Sequence, residues 1–244
     1  MRLHSNSPSK SWRLSATLLV LCAYVVARNR TYFYFPVNSV ESWFVRDTWM
    51  TVPRLASFIA IFCIYSGWKT ARTDWRLSGN RKALALGFLA VALWCFYTSG
   101  SRGARFPREI ICVGAATSVI VGLFEEYAFR GPLLMDLARR ISVTKAVFLS
   151  AFLFTIYHFQ AQGLTSWPAI FLTGLTFAGL RFQGVSLTCL VLIHTIIDAS
   201  YFFFGSQTPP MTSLYGAILN LGLLICSIAA FPFSSSKKSA LKSP

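Results

Sequence analysis

Eight apolar runs, each near the length of a membrane-crossing helix, dictate the architecture open to this chain. They are Leu14 to Ala27, Val52 to Trp68, Ala83 to Thr98, a run beginning at Ile110, Val143 to about Phe159, Trp167 to Leu180, Val185 to Phe204, and Leu214 to Phe233. A bilayer core takes about 20 residues in helical form, with allowance for tilt. Every backbone N–H and C=O must be satisfied inside the segment there, so such runs become helices. The predicted fold class is all-α: a polytopic membrane helix bundle of about eight transmembrane helices. Composition agrees. Only 13% of the 244 residues are charged and 55% are hydrophobic, with mean hydropathy +0.54, whereas soluble domains carry about 25% charged residues. A soluble core is the wrong expectation.

The net charge of +15 suggests nucleic acid in a soluble protein. Here the basic residues fall between the apolar runs, where they set topology and meet anionic lipid, so no nucleic-acid partner is expected. With eight spans and the N-terminus inside, the cytoplasmic segments carry 16 of the Lys and Arg residues and the opposite segments 7. This bias predicts both termini in the cytoplasm. The expected location is an integral position in a membrane, with the bacterial inner (plasma) membrane as the setting. Lys69 to Lys82 is the strongest anchor. Met1 to Arg13 followed by Leu14 to Ala27 imitates a secretory signal, but no A-x-A-like cleavage site is evident, and a retained first helix is predicted. The Ser/Lys-rich ends, Ser5 to Ser11 and Ser234 to Pro244, read as disordered. The six cysteines each lie in an apolar stretch without C-x-x-C spacing, which makes them small apolar fillers.

Against this background a few charges stand out. Phe124-Glu125-Glu126-Tyr127-Ala128-Phe129-Arg130-Gly131 follows the apolar run Ile110 to Leu123, and the chain has only eight acidic residues. A charge at membrane depth costs about 3 kcal/mol on insertion scales and marks a functional site by default. Glu126 and Arg130 are four apart, hence on one helical face and in the favourable order for a pair. Glu125 is turned about 100° away. Glu126–Arg130 therefore reads as a structural pair, with Glu125 left for chemistry. His158 closes the fifth run, and His194 and Asp198 share a face of the seventh. A lone intramembrane histidine is readily explained by an interhelical hydrogen bond. Six ionisable residues in three spans are not, because each carries its own cost. If the limbs on either side of Ser142–Val143 form a hairpin, Glu125 and His158 each lie about 24 Å along their limb and can meet. Gly131-Pro132 is expected to kink the first limb.

Glu125-Glu126-x-x-x-Arg130, Phe154-x-x-x-His158 and His194-x-x-x-Asp198, in this order, resemble the three motifs of the CPBP family, the CAAX prenyl endopeptidases and their bacteriocin-processing bacterial relatives. The resemblance covers about Ile110 to Phe204. It divides one membrane domain into an N-terminal three-helix region (1–109), a catalytic core (110–204), and a last helix with a basic tail (205–244). It implies a glutamic-type intramembrane endopeptidase. The substrate would be a membrane-associated protein or peptide: a leader, a bacteriocin precursor, a C-terminal sorting segment or a CAAX-type end.

By the same resemblance Glu125 is the general base that activates a water, and His158 holds that water or shares its proton. His194 and residue 198 flank the oxyanion. The third motif commonly ends in Asn, and here it ends in Asp198. An ionised aspartate only accepts hydrogen bonds, so Asp198 serves either as a protonated donor or by orienting His194. An alternative makes Glu125, His158 and His194 a two-histidine, one-carboxylate zinc set. No H-E-x-x-H occurs and Arg130 already braces the carboxylate pair, so a metal-free site is the favoured expectation. Two other classes compete: a non-catalytic scaffold or immunity-type protein, and a small transporter with a proton relay. The full set of motif residues disfavours the first, and the lack of an inverted repeat disfavours the second.

Overall fold

The computed structural model describes residues 12–34, 40–65, 75–102, 105–158, 163–204 and 208–232. The two Ser/Lys-rich ends and the first part of the basic stretch 69–82 lie outside the described residues. Among the described residues eight helices follow the apolar runs: α1 (Trp12–Tyr34), α2 (Val40–Tyr65), α3 (Arg81–Ser99), α4 (Arg108–Arg140, in three pieces), α5 (Val143–Tyr157), α6 (Trp167–Phe182), α7 (Leu187–Phe204) and α8 (Leu214–Ala230). Among the described residues four segments, Val45–Tyr65, Arg81–Ser99, Arg108–Arg140 and Leu187–Phe204, are long and apolar enough to cross a membrane, and Val143–Tyr157 and Leu214–Ala230 are shorter apolar helices. Large side chains such as Leu19, Ile59, Phe88, Phe152, Ile196 and Leu221 face outward. That surface suits lipid rather than water. The protein is an all-helical polytopic bundle.

Helix starts follow local chemistry. The Asn80 side chain accepts from the Lys82 N–H at 2.9 Å, and the Ser142 and Ser213 hydroxyls accept from the N–H groups of Lys145 and Gly216, each at 3.3 Å. Such caps satisfy amides that the first turn leaves without partners. The first two helices overrun their apolar stretches. α1 continues through Arg28, which is only 3% exposed. α2 begins twelve residues before Val52 and carries Arg46, Asp47 and Arg54. A run in the sequence stops at a charge, whereas a helix continues through it when the charge turns inward.

Two apolar clusters form the interior. One joins α1, α2, α4 and α5, with one face of α6, through residues such as Tyr24, Ile61, Phe124, Phe154 and Ile170. The other joins α3, α6, α7 and α8 through Trp94, Phe177, Leu190, Ile193 and Leu223. α4 and α7 make the most extensive helix–helix contact, and they pack along the seam between the clusters. Lipid tails are as apolar as leucine, so such a contact depends on close packing and hydrogen bonds rather than on excluding water. Gly114, Ser118 and Gly122 are buried in α4 at four-residue intervals. A Cβ on Gly114 would lie 2.5 Å from the Phe202 ring, and one on Gly122 would lie 3.1 Å from the Val191 carbonyl. The stripe lets α7 come close, and its next two members, Glu126 and Arg130, continue the same face.

Candidate active site

α4 delivers its two glutamates to different surroundings. The stripe 114-118-122-126 faces α7, which buries Glu126 completely. One position back, Thr117, Val121 and Glu125 line a cavity of about 290 Å³ that also meets His158, His194 and Asp198. Just beyond, the helix opens into a π turn at Phe129–Leu133, where Gly131 departs from helical geometry (φ −85°, ψ −111°) and Pro132 has no N–H to donate. The Ser150 hydroxyl donates to the Phe129 carbonyl at 3.0 Å, bridging the break to α5. This is the kink expected at Gly131-Pro132. π turns inside helices recur at functional sites. The chain then reverses at Ile141 and Ser142 into α5.

His158 is the residue at which α5 ends, with φ −83° and ψ 0°. Its Nδ1–H donates to the Phe154 carbonyl at 2.8 Å. A carbonyl can only accept, so this bond directs Nε2 outward. His194 is held by the same logic: its Nδ1–H donates to Glu126 Oε1 at 2.7 Å. Both Nε2 atoms then lie 3.7 Å from Glu125 Oε2. That oxygen is buried and makes no hydrogen bond among the described residues. His194 Nε2 is also 3.6 Å from Asp198 Oδ2, one turn on, whose side chain is 29% exposed.

Arg130 is fully buried, with Nη1 3.3 Å from Glu126 Oε1. Its guanidinium carbon lies 4.1 Å from the centre of the Phe154 ring and 5.6 Å from that of Phe177. A buried arginine is tolerated when a carboxylate and aromatic faces both meet it. Glu126 therefore has two partners: it balances Arg130 along α4 and fixes the His194 ring across the helix interface. The structure brings all six residues singled out in the sequence, Glu125, Glu126, Arg130, His158, His194 and Asp198, into one cluster.

Two contributions escaped the sequence reading. The first is the bond from His194 to Glu126, which helical spacing cannot reveal because it joins separate helices. The second is the far wall of the cavity, which comes from α1 and α2: Tyr24, Arg28, Arg46, Asp47, Met50 and Arg54. The spacing Arg46-x-x-x-Met50-x-x-x-Arg54 was the available signal, since it places both arginines on one helical face.

A metal is the natural alternative occupant of such a cluster. Glu125 Oε2 and the two Nε2 atoms converge, and each ring's other nitrogen is held by a carbonyl or a carboxylate, as ligating histidines usually are. Tetrahedral zinc with bonds of 2.0–2.1 Å sets its ligands about 3.3 Å apart, against the 3.7 Å found here. The donor set fits zinc in kind, and each Glu125–histidine separation exceeds the zinc spacing. Among the described residues no preformed group of three or more metal-binding side chains is found.

Residues 107–200 match the family described as type II CAAX prenyl endopeptidase Rce1-like. The resemblance read from the three motifs thus holds over the stretch that contains all six residues, and it supports an intramembrane protease in general. No curated protein matches the chain.

Proposed function

We propose that this protein is a glutamic-type intramembrane endopeptidase acting on a membrane-associated protein or peptide. The observation that carries the reading is the convergence on one buried atom, Glu125 Oε2, of two histidine Nε2 atoms at 3.7 Å each. With both Nδ1–H groups already donating, both Nε2 atoms are left to face Glu125 Oε2. A carboxylate oxygen and two ring nitrogens around one point suit a small hydrogen-bonding molecule such as water.

In this reading a water bound between Glu125 Oε2 and His158 Nε2 gives its proton to Glu125 as its oxygen attacks the substrate carbonyl. The carbonyl π pair moves onto oxygen, beside His194 and Asp198. When the intermediate collapses, the C–N bond breaks and Glu125 returns the proton to the leaving nitrogen. General-base help of this kind is worth about 10²–10⁴-fold. The oxyanion needs a donor. Glu126 holds the Nδ1–H of His194, so one further proton must reside on His194 Nε2 or on Asp198 Oδ2. Arg130 pairs with Glu126, and Glu126 in turn holds the His194 ring.

In the zinc-dependent alternative Glu125, His158 and His194 would be the ligands, and zinc would supply Lewis acidity at the same point. Cleavage of a membrane-derived peptide by purified protein, before and after removal of divalent ions, separates the two. Retained cleavage is the expected result. Stoichiometric zinc that tracks activity and is lost in His158→Ala would overturn the metal-free reading. The basic bias supports cytoplasmic termini. A reporter at the C-terminus should read cytoplasmic, and an external reading would overturn that orientation.

A further inference from the structure

The cavity around Glu125 has a direction. Its walls come from positions within 24–28 on α1, 46–54 on α2, 117–125 on α4 and 194–202 on α7, and His158 meets it where α5 stops. On each of these four helices the lining runs from near the midpoint towards one end. Contacts between the helices show that it is the same end of the bundle. Gly114 faces the Phe202 ring and Glu126 bonds His194, so α4 and α7 run in opposite directions. Tyr24 packs on Phe124 and Phe58 on Tyr127, with ring centres 5.0 and 5.1 Å apart. The Thr17 hydroxyl donates to the Tyr65 hydroxyl at 3.4 Å, which donates to Asp136 Oδ2 at 2.9 Å. α1 therefore runs against α4, and α2 runs along it. From Glu125 the cavity extends about 12 Å along α4 to Thr117, towards the end where α1 passes into α2, α3 into α4 and α7 into α8.

The other end is closed. On α4, Glu125 is followed by Phe129, Leu133 and Leu134, each at most 1% exposed. Beyond them the Thr17–Tyr65–Asp136 hydrogen bonds tie α1, α2 and α4 together across the bundle. A peptide coming from that end would have to break these bonds and displace close-packed side chains, which costs several times the energy of thermal motion. The closed end carries the α4–α5 hairpin and the basic stretch 69–82, the side with 16 of the Lys and Arg residues against 7. Basic segments stay in the cytoplasm, so the cavity opens away from it. We propose that the substrate reaches Glu125 from the non-cytoplasmic face and is therefore a segment of an exported peptide or protein, cut after translocation. A chain end held in the cytoplasm does not meet this cavity. The inference rests on the protease reading for calling the visitor a substrate, and on the basic bias for naming the face. Entry at the end opposite the hairpin rests on the packing alone.

The test reads access apart from cleavage. Thr117→Cys and Val121→Cys put thiols on the cavity wall. Val119→Cys puts one on the outward face of the same helix, at a position 48% exposed, and Thr144→Cys marks the exposed hairpin end. Each full-length variant, beside the parent with its six cysteines, is expressed in a bacterial host. Intact spheroplasts are treated with a membrane-impermeant sulfonated maleimide, and labelling in dodecyl sulfate gives the total thiol. Both wall positions should label in intact spheroplasts, about tenfold or more faster than Val119→Cys, because a thiol facing lipid does not ionise. Thr144→Cys should label only after permeabilisation. Wall thiols that label only after permeabilisation, or no faster than Val119→Cys, overturn the proposal. So does labelling of Thr144→Cys in intact spheroplasts. The parent protein is then given a mixture of quenched-fluorescent peptides, each with an apolar centre between aspartates and unable to cross the membrane. Cleavage is expected with right-side-out vesicles alone, and cleavage with inside-out vesicles overturns entry from the non-cytoplasmic face. If neither preparation cleaves while the wall thiols label as expected, the protease reading fails and the entry face stands.

Discussion

The two apolar clusters are braced by different polar chemistry. The one built on α1, α2, α4 and α5 uses charge: Arg54 with Asp47 at 3.3 Å, the Tyr65 hydroxyl donating to Asp136 Oδ2 at 2.9 Å, and Glu126 with Arg130 at 3.3 Å. The one built on α3, α6, α7 and α8 uses neutral groups: Trp94 Nε1–H donating to the Thr173 hydroxyl at 3.1 Å, Thr98 donating to Ser200 at 3.1 Å, and Thr176 paired with Ser227 at 3.0 Å. A neutral interhelical bond in a membrane contributes modestly, about 0.6 kcal/mol on average. A buried charge is harmless while paired and costly when its partner goes. The neutral half is thus a tolerant frame. The charged half holds Glu125, His158 and the Glu126–Arg130 pair and is sensitive to single changes, while α7 of the other half brings His194 and Asp198 to the seam. The His194–Glu126 bond crosses from one to the other.

The largest expected effect tests the charged half at its reactive atom. Glu125→Gln should lower cleavage by about 10²–10⁴-fold, the usual worth of a general base, with the melting temperature in detergent unchanged. Residual activity close to that of the parent would remove Glu125 from the base role. Next come the buried partners. Arg130→Met or Glu126→Gln should cost about 3–5 kcal/mol of stability, read as a clear drop in melting temperature as well as activity. If all three variants lose fold equally, the two glutamates do not divide structure from chemistry.

Asp198 sharpens the comparison at the seam. If it donates as a carboxylic acid, Asp198→Asn should keep much of the activity and extend it to higher pH, because an amide donates at every pH. If it orients His194 as a carboxylate, the same change should cost about tenfold or more. A pH–rate profile beside the parent decides, and an unchanged rate and profile would place Asp198 outside the chemistry. The smallest effect is expected in the neutral half. Thr173→Val removes the acceptor of Trp94 and should cost about 0.6 kcal/mol and at most about 1.7, with cleavage unaffected. A loss as large as that of Arg130→Met would erase the distinction between the halves.

Much of the site was legible because its motifs are local. The four-residue spacings Glu126–Arg130 and His194–Asp198 settle which side chains share a face before any packing is known, since helical geometry comes from the backbone's own hydrogen bonds. The capped reversal at Ser142 and the break at Gly131-Pro132 are equally local, and both appear where the sequence put them. The ends of α1 and α2 were not legible. Their charged residues ended the apolar runs, and only the fold shows them turned into the cavity.

By itself, then, the sequence determined an all-helical membrane bundle, the order of its helices and the face on which each motif residue lies. The tertiary structure decided which faces meet. In a bilayer nearly every helix face is apolar, so hydrophobicity does not single out the partner, and close packing does. Gly114, Ser118 and Gly122 bring α7 close enough for His194 to reach Glu126, and the α4–α5 hairpin returns His158 to Glu125. The joining of α1 and α2 to that cavity, with their arginines facing its carboxylates, is likewise a product of packing between segments far apart in the chain.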